Sequence, residues 1–295
     1  MRMTRRESSP LRVFVPSKDR AETITTHQVF PEATVVVHTE EQACLYRQNP
    51  TLSSRQVVVS GVPGDTFGLT RQREWIARNL VNADEWFVFA DDNIRTLTAV
   101  DEEHYAVQEL PVQNGDARFW KATYQTECQF NRFARITTDT VAYAESVGAR
   151  LCGFALVDNP YFRGKKFRPV GYVIGKLMLM KNAELTFNHT ISMEDFRNTA
   201  DHLLRFGAVV VNNFLFPVAG HYEKGGMGTY QERIEVRKRD VQRLLAMYPG
   251  LFHVKDREGF KPNTDLQLRL HSTKQVKQWR AELIQSITCK KKGGR

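Results

Sequence analysis

Glu85-Trp-Phe-Val-Phe-Ala-Asp-Asp-Asn93 is the stretch on which the reading of this chain turns. The apolar run from Trp86 to Ala90 predicts a strand buried in a sheet. It ends in two carboxylates, which cannot follow it into the core, because an unpaired buried charge costs several kcal/mol or more. In open α/β sheets, ligands bind outside the carboxyl ends of the strands. Adjacent acids there repel one another unless a cation neutralises them, and oxygen ligands suit magnesium or manganese. Asp91 and Asp92 are therefore candidate metal ligands. A solvated Asp-Asp-Asn turn would have the same sequence.

Outward from this point, strand-like and helix-like segments alternate, the pattern of an α/β domain with a mainly parallel sheet. Leu11–Val15, stopped by Pro16-Ser17, and the β-branched runs Thr34–His38 and Gln56–Ser60 predict strands. Thr70 is the expected N-cap of a helix running to about Asn82, with Trp75, Ile76, Asn79 and Leu80 along a face. Phe130, Phe133, Ile136, Val141 and Tyr143 predict one helix or two between Tyr124 and Gly148. Leu151–Val157, Tyr172–Met180 and Ala208–Phe214 read as strands, and Asp195–Phe206 and Glu232–Tyr248 as helices. Val276, Trp279, Leu283, Ile284 and Ile287 predict an amphipathic helix over residues 273–288 that docks on the body. The expected organisation is a flexible basic N-terminus (1–10), a main domain (11–255), a C-terminal extension (256–289) and a basic tail (290–295).

The bulk numbers narrow the class. The 295 residues, 41% hydrophobic and 25% charged, suit a globular protein with a full core. No apolar run approaches the ~20 residues of a membrane span, and no signal-type apolar segment follows the basic first residues, so an intracellular location without a membrane partner is expected. Cysteines at 44, 128, 152 and 289 form no CxxC unit and read as free thiols in a reducing compartment. Of the net +9, residues 1–7 carry +2 and residues 290–295 carry +4, leaving +3 on the body. Charge thus makes a nucleic-acid partner plausible without specifying one.

Other candidate residues surround the acidic pair. Glu194 and Asp195 begin a predicted helix, where the dipole favours negative charge, and a carboxylate there could accept a proton from a hydroxyl; a helix-capping acid would look the same. His221, in the glycine-rich segment 219–229, could complete a metal site or be an ordinary surface residue. Arg71, Arg73 and Arg78 share one helix and could pair with a diphosphate or form a solvated face. No Gly-Lys-Ser/Thr or GxGxxG cradle occurs, and neither GxSxG nor HExxH, which excludes the commonest kinase, dehydrogenase, hydrolase and metalloprotease signatures.

Taken in order, these pieces resemble the GT-A glycosyltransferase fold over residues 11–255. Val13-Phe-Val-Pro-Ser-Lys-Asp-Arg20 resembles its first strand and nucleoside-binding turn, which implies donor contacts at Pro16, Ser17 and Arg20. Gly68–Asn79 resembles the donor-side helix with Arg71, Arg73 and Arg78, and Asp91-Asp92-Asn93 stands where a DxD motif is expected. Glu194-Asp195 is similar to the acidic pair that supplies the base in inverting members, and His221 to the C-terminal metal ligand. Two departures are visible: the third position of the motif is an amide, and His38-Thr39-Glu40 stands where many members carry an aspartate toward the nucleobase.

The set PSKDR, GLTRQREW, FADDNI and GGMGTYQER most resembles the TET/JBP-associated glycosyltransferases, with Gly225 and Gly226 in the last donor-side loop. That resemblance implies a UDP-sugar donor, a divalent cation (Mn2+ or Mg2+) on Asp91, Asp92 and His221, and Asp195 as base. It also implies a hydroxymethylated pyrimidine in DNA as acceptor. The basic clusters Arg163–Arg168 and Arg233–Arg243 could neutralise nucleic-acid phosphates, and a duplex base would have to be flipped out to react. The alternatives are a GT-A transferase with a glycan, protein or small-molecule acceptor, and a non-catalytic nucleic-acid-binding protein of the same fold.

Overall fold

The computed structural model describes residues 11–65, 67–100, 125–127, 130–156, 165–182, 192–220, 230–255 and 267–292. In chain order the elements are β1 (Val13–Pro16), α1 (Thr26–Val29), β2 (Thr34–Val37), α2 (Glu40–Arg47), β3 (Val57–Val59), α3 (Gly68–Asn79), β4 (Trp86–Ala90), β5 (Ile94–Val100) and β6 (Gln125–Glu127). Then follow α4 (Phe130–Ser146), β7 (Leu151–Phe154), β8 (Phe167–Arg168), β9 (Leu177–Lys181), α5 (Glu194–Phe206), β10 (Val210–Asn212) and β11 (Leu215–Ala219). The chain closes with α6 (Tyr230–Met247), β12 (Phe252–Lys255), β13 (Gln267–Leu270) and α7 (Thr273–Lys292).

Eight strands form the central sheet in the order β3-β2-β1-β4-β9-β7-β10-β8. It is mixed: β1, β2, β3, β4, β7 and β10 run one way, while β9 is antiparallel to both β4 and β7, and β8 is antiparallel to β10. The chain builds outward from β1 to β3 and then crosses to the other side of β1 to lay down β4. A topological switch point therefore lies between β1 and β4. Every residue of β4 is buried, with alternate side chains serving opposite faces. Trp86, Val88 and Ala90 join the core with Phe133 and Ile136 of α4. Phe87 and Phe89 join the other, with Ile76 of α3, Leu203 of α5, Leu244 of α6 and Trp279 of α7. Burying side chains of this size contributes ~1.5–3 kcal/mol each, which explains why the run is apolar throughout. Two smaller sheets, β11-β5-β6 and the hairpin β12-β13, complete the described architecture.

The structure corrects several local expectations. Helix α3 starts at Gly68, and Thr70 lies inside it; the entry turn is made by Asp65, whose side chain accepts the Phe67 N–H. The run from Tyr172 is irregular until β9 starts at Leu177. Ala208–Phe214 is not one strand: the Asn212 side chain accepts the Phe214 N–H at 2.9 Å, turning the chain out of β10 and into β11 of a different sheet. Helix α7 runs through Lys292, so residues 290–292, expected in a tail, are helical. Its first turn pairs Ser272 and Gln275 reciprocally, a capping box. Cys44 and Cys152 are unpaired. Among the described residues no helix is long and apolar enough to cross a membrane.

Gly153 of β7 lies against Val173: a methyl group there would meet the Val173 Cγ1 at 2.7 Å and its Cα at 3.2 Å. Gly153→Ala should therefore destabilise the fold by ~1–3 kcal/mol through overpacking. A lowered denaturant midpoint with an unchanged m-value is the expected result.

Candidate functional site at the carboxyl edge of the sheet

The carboxyl ends of β1 and β4 open into a cavity of about 770 Å3. The turn after β1 is tight because Asp19 adopts a left-handed conformation (φ 56°), which aspartate tolerates better than most residues. Arg20 is thereby brought back over the strand end. Its Nη1 donates to Asp92 Oδ1 at 2.5 Å, and the Ser17 hydroxyl donates to Asp92 Oδ2 at 2.6 Å. Since the single Ser17 proton goes to a carboxylate, the Tyr46 hydroxyl, 2.6 Å from Ser17 Oγ, must donate to it; the Tyr46 oxygen in turn accepts the Arg20 N–H. Burial pushes the Tyr46 phenol up to about 12. Asp92 is itself buried, its carboxyl raised by desolvation and pulled back by Arg20.

Asp91 points the other way. Its Oδ1 accepts from Arg73 Nη2 at 3.2 Å, and among the described residues its Oδ2 has no hydrogen-bond partner. About 35% of the side chain opens on the cavity. Desolvation at the cavity floor raises this carboxyl to about 6, with Arg73 opposing and Asp92 adding to the shift; solvent reaching the open part tempers it.

Arg73 of α3 is 1% exposed. Its Nη1 donates to Glu194 Oε1 and its Nη2 to the Gly175 carbonyl as well as to Asp91, while the guanidinium lies 5.5 Å from the centre of the Phe89 ring. Glu194 also accepts from the Thr70 hydroxyl at 3.2 Å, so both its oxygens are engaged. Burial lifts Glu194 to about 7 despite Arg73, since desolvation outweighs the ion pair here. Asp195, next in sequence, is differently placed: it is partly exposed on the cavity and accepts the Tyr172 hydroxyl at Oδ2 and the Phe196 N–H at Oδ1.

Of the residues singled out in the sequence, Pro16, Ser17, Arg20, Arg73, Asp91, Asp92, Glu194 and Asp195 all line this cavity. Arg71 does not, being paired with Asp65 at 2.6 Å, and Arg78 is a surface residue paired with Glu74. His221, Gly225 and Gly226 lie outside the described residues, as does Arg163. Lys18, His38, Tyr172, Lys176 and Arg237 complete the wall. Arg237 belongs to a basic helix legible in the sequence, whereas Tyr172 and Lys176 come from a segment that reads as strand in the sequence and is irregular up to Leu177 in the structure. With Lys18, Arg20, Arg73, Lys176 and Arg237 against Asp65, Asp91, Asp92, Glu194 and Asp195, the formal charge of the wall balances. Preference for an anion must come from geometry, not net charge.

Among the described residues, the member of the acidic pair that a divalent cation could reach is Asp91: Asp92 is buried and ion-paired with Arg20, and no group of three His, Cys, Asp or Glu side chains could hold a metal by itself. Magnesium is commonly held by one or two carboxylates together with substrate phosphates, and one free Asp91 oxygen satisfies that pattern. The third acidic-run residue, Asn93, is not directed to a metal: its amide donates to the Gly220 carbonyl at 2.7 Å, and its own carbonyl accepts the Gly220 N–H.

Because Glu194 is raised to about 7 in the fold, the folded state binds more protons than the unfolded one between about pH 4.5 and 7, and stability falls as pH rises through that window. Asp91, raised to about 6, acts in the same direction. His202, lowered to about 4 by burial, acts in the opposite direction, so the expected result is a difference: from pH 5 to 8 the denaturation midpoint of Glu194→Gln should gain relative to that of the wild type. No protein-family model matches the chain, and a search of curated proteins finds no match.

Proposed function

We propose that this protein is a glycosyltransferase of the GT-A type that uses a nucleoside-diphosphate sugar, bound at the β1/β4 switch point. One observation carries the reading: the turn after β1 and the acidic turn after β4 are joined by Arg20, Ser17 and Asp92 at the mouth of a cavity. In doubly wound sheets the crevice at such a switch point is where nucleotides bind. The mixed sheet flanked by helices is compatible with the GT-A resemblance in the sequence.

In this reading the nucleoside lies along the Lys18 and His38 side of the cavity, and the diphosphate lies near Asp91. A divalent cation held by the free Asp91 oxygen would offset the negative charge of the departing diphosphate. Asp195 accepts the proton of the acceptor hydroxyl as that oxygen bonds to the anomeric carbon. The carbon–oxygen bond to the diphosphate breaks, and the nucleoside diphosphate leaves with the electron pair. Glu194, buried and ion-paired with Arg73, positions the start of α5, whereas Asp195 is partly exposed on the cavity and takes the proton.

The acceptor we propose is the hydroxymethyl group of a modified pyrimidine in DNA. Helix α6 supports it: Arg237 reaches the cavity while Lys238, Arg239 and Arg243 lie on its exposed side, where they can face phosphates.

The direct test is nucleotide release from UDP-glucose and UDP-N-acetylglucosamine with manganese, with and without DNA containing hydroxymethylated pyrimidines. DNA-stimulated release is expected. Metal-dependent release indifferent to DNA would retain the transferase and discard the acceptor, and salt-sensitive DNA binding without release would favour a binding protein. The two aspartates should separate. Asp91→Ala should abolish metal-stimulated UDP binding while Glu194 and the Gly175 carbonyl still hold Arg73. Asp92→Ala should lower stability by as much as ~3–5 kcal/mol, because it breaks the buried ion pair with Arg20 and removes the acceptor of the Ser17 hydroxyl.

A further inference from the structure

Tyr172 and Asp195 stand on one wall of the cavity. The Tyr172 ring is stacked on Phe196, centroids 4.2 Å apart and planes 24° apart. Phe196 meets the edge of Phe252 at 5.8 Å, and Phe252 meets Tyr248 at 6.2 Å, whose hydroxyl is held by Asp201. This file of four rings leaves the phenol of Tyr172 little freedom to turn. Its proton is directed at Asp195 Oδ2, since a carboxylate can only accept. The Phe196 N–H holds Oδ1 at 2.9 Å. Each carboxylate oxygen thus has one fixed donor and keeps lone-pair capacity for a further proton. Burial, together with the negative charge of Asp195, holds the phenol proton far more tightly than in water, so Tyr172 stays a donor and does not itself act as a base.

We propose that Tyr172 is a positioning residue for Asp195, fixing the carboxylate as an oriented acceptor for the proton of the incoming hydroxyl. The proposal rests on Asp195 being the base in the transferase reading above. The hydrogen bond removes the rotation that would turn the carboxylate lone pairs away from the incoming hydroxyl. The aromatic stack sets the direction of the phenol, and the phenol sets the direction of the carboxylate. Neither effect requires Tyr172 to touch the sugar donor.

The test is a double-mutant cycle on kcat with Tyr172→Phe, Asp195→Asn and the pair, measured on the full chain with the sugar donor and acceptor that support transfer. Tyr172→Phe keeps the ring in the stack and removes only the hydroxyl, so the melting temperature should remain close to that of the wild type. Expected is a loss of kcat of about 10- to 100-fold, the range for a hydrogen bond to a charged group, with the donor KM within about twofold. In the Asp195→Asn background the same change should have little further effect. An unchanged kcat in Tyr172→Phe would overturn the proposal, as would an equal loss in both backgrounds, which would show Tyr172 acting without Asp195. A wild type that transfers no sugar from any nucleotide donor would instead overturn the transferase reading itself. That outcome differs from an active wild type with an indifferent Tyr172→Phe.

Discussion

A guanidinium with almost no access to water has to be paired, and Arg73 finds its partners on three separate pieces of chain: Asp91 after β4, Glu194 at the start of α5, and the Gly175 carbonyl ahead of β9. Asp91 is distant in sequence from Gly175 and Glu194, and nothing in their local sequence would bring them to one point. The cation does so. It also allows two carboxylates to share a volume in which their mutual repulsion would otherwise drive them apart. Both remain harder to ionise than free carboxylates, so the attraction offsets desolvation without overcoming it.

A second buried network, Arg20-Asp92-Ser17-Tyr46, does for β1, β4 and α2 what Arg73 does for the other half of the cavity. The division between the two follows from backbone geometry, since successive residues leaving a strand point to opposite sides. Asp92 turns inward and is consumed in holding the fold; Asp91 turns to the cavity and keeps an oxygen free. Adjacent acids that look alike in the sequence thereby have separate physical roles.

Part of this is legible in the sequence. The continuous apolar run into Asp91-Asp92 predicts the buried central strand β4, and the expected helix Asp195–Phe206 is observed as Glu194–Phe206. What was hidden depended on contacts distant in sequence. Thr70 looks like a helix cap because it precedes an amphipathic run, yet its hydroxyl is bonded 124 residues away, to Glu194. Arg71, Arg73 and Arg78 are chemically equivalent in a string of letters; which of them faces the core is decided by the rotation of α3 on the sheet. Asn93 stands at the third position of the acidic motif, but its amide donates to the Gly220 carbonyl and adds no charge beside the two carboxylates. Tyr172 reads as the start of a strand, and its stacking depends on a ring file that reaches Phe252 and Tyr248.

The reversed direction of β9 has a consequence for how such a site can vary. In a sheet whose strands all run one way, only segments that follow strands arrive at the ligand edge, and each must then lead into the helix that carries the chain back. Because β9 runs backwards, the segment ahead of it, Tyr172 to Lys176, arrives there instead, with the Lys176 carbonyl bonded to the Asp91 N–H as its anchor. That segment is fixed at its downstream end by the sheet, and its path is held by the Gly175 carbonyl on Arg73 and by the buried Val173, whose N–H donates to Thr199. Variation on this wall of the cavity therefore falls to side chains such as Ile174 and Lys176, which can change without disturbing the order of the strands.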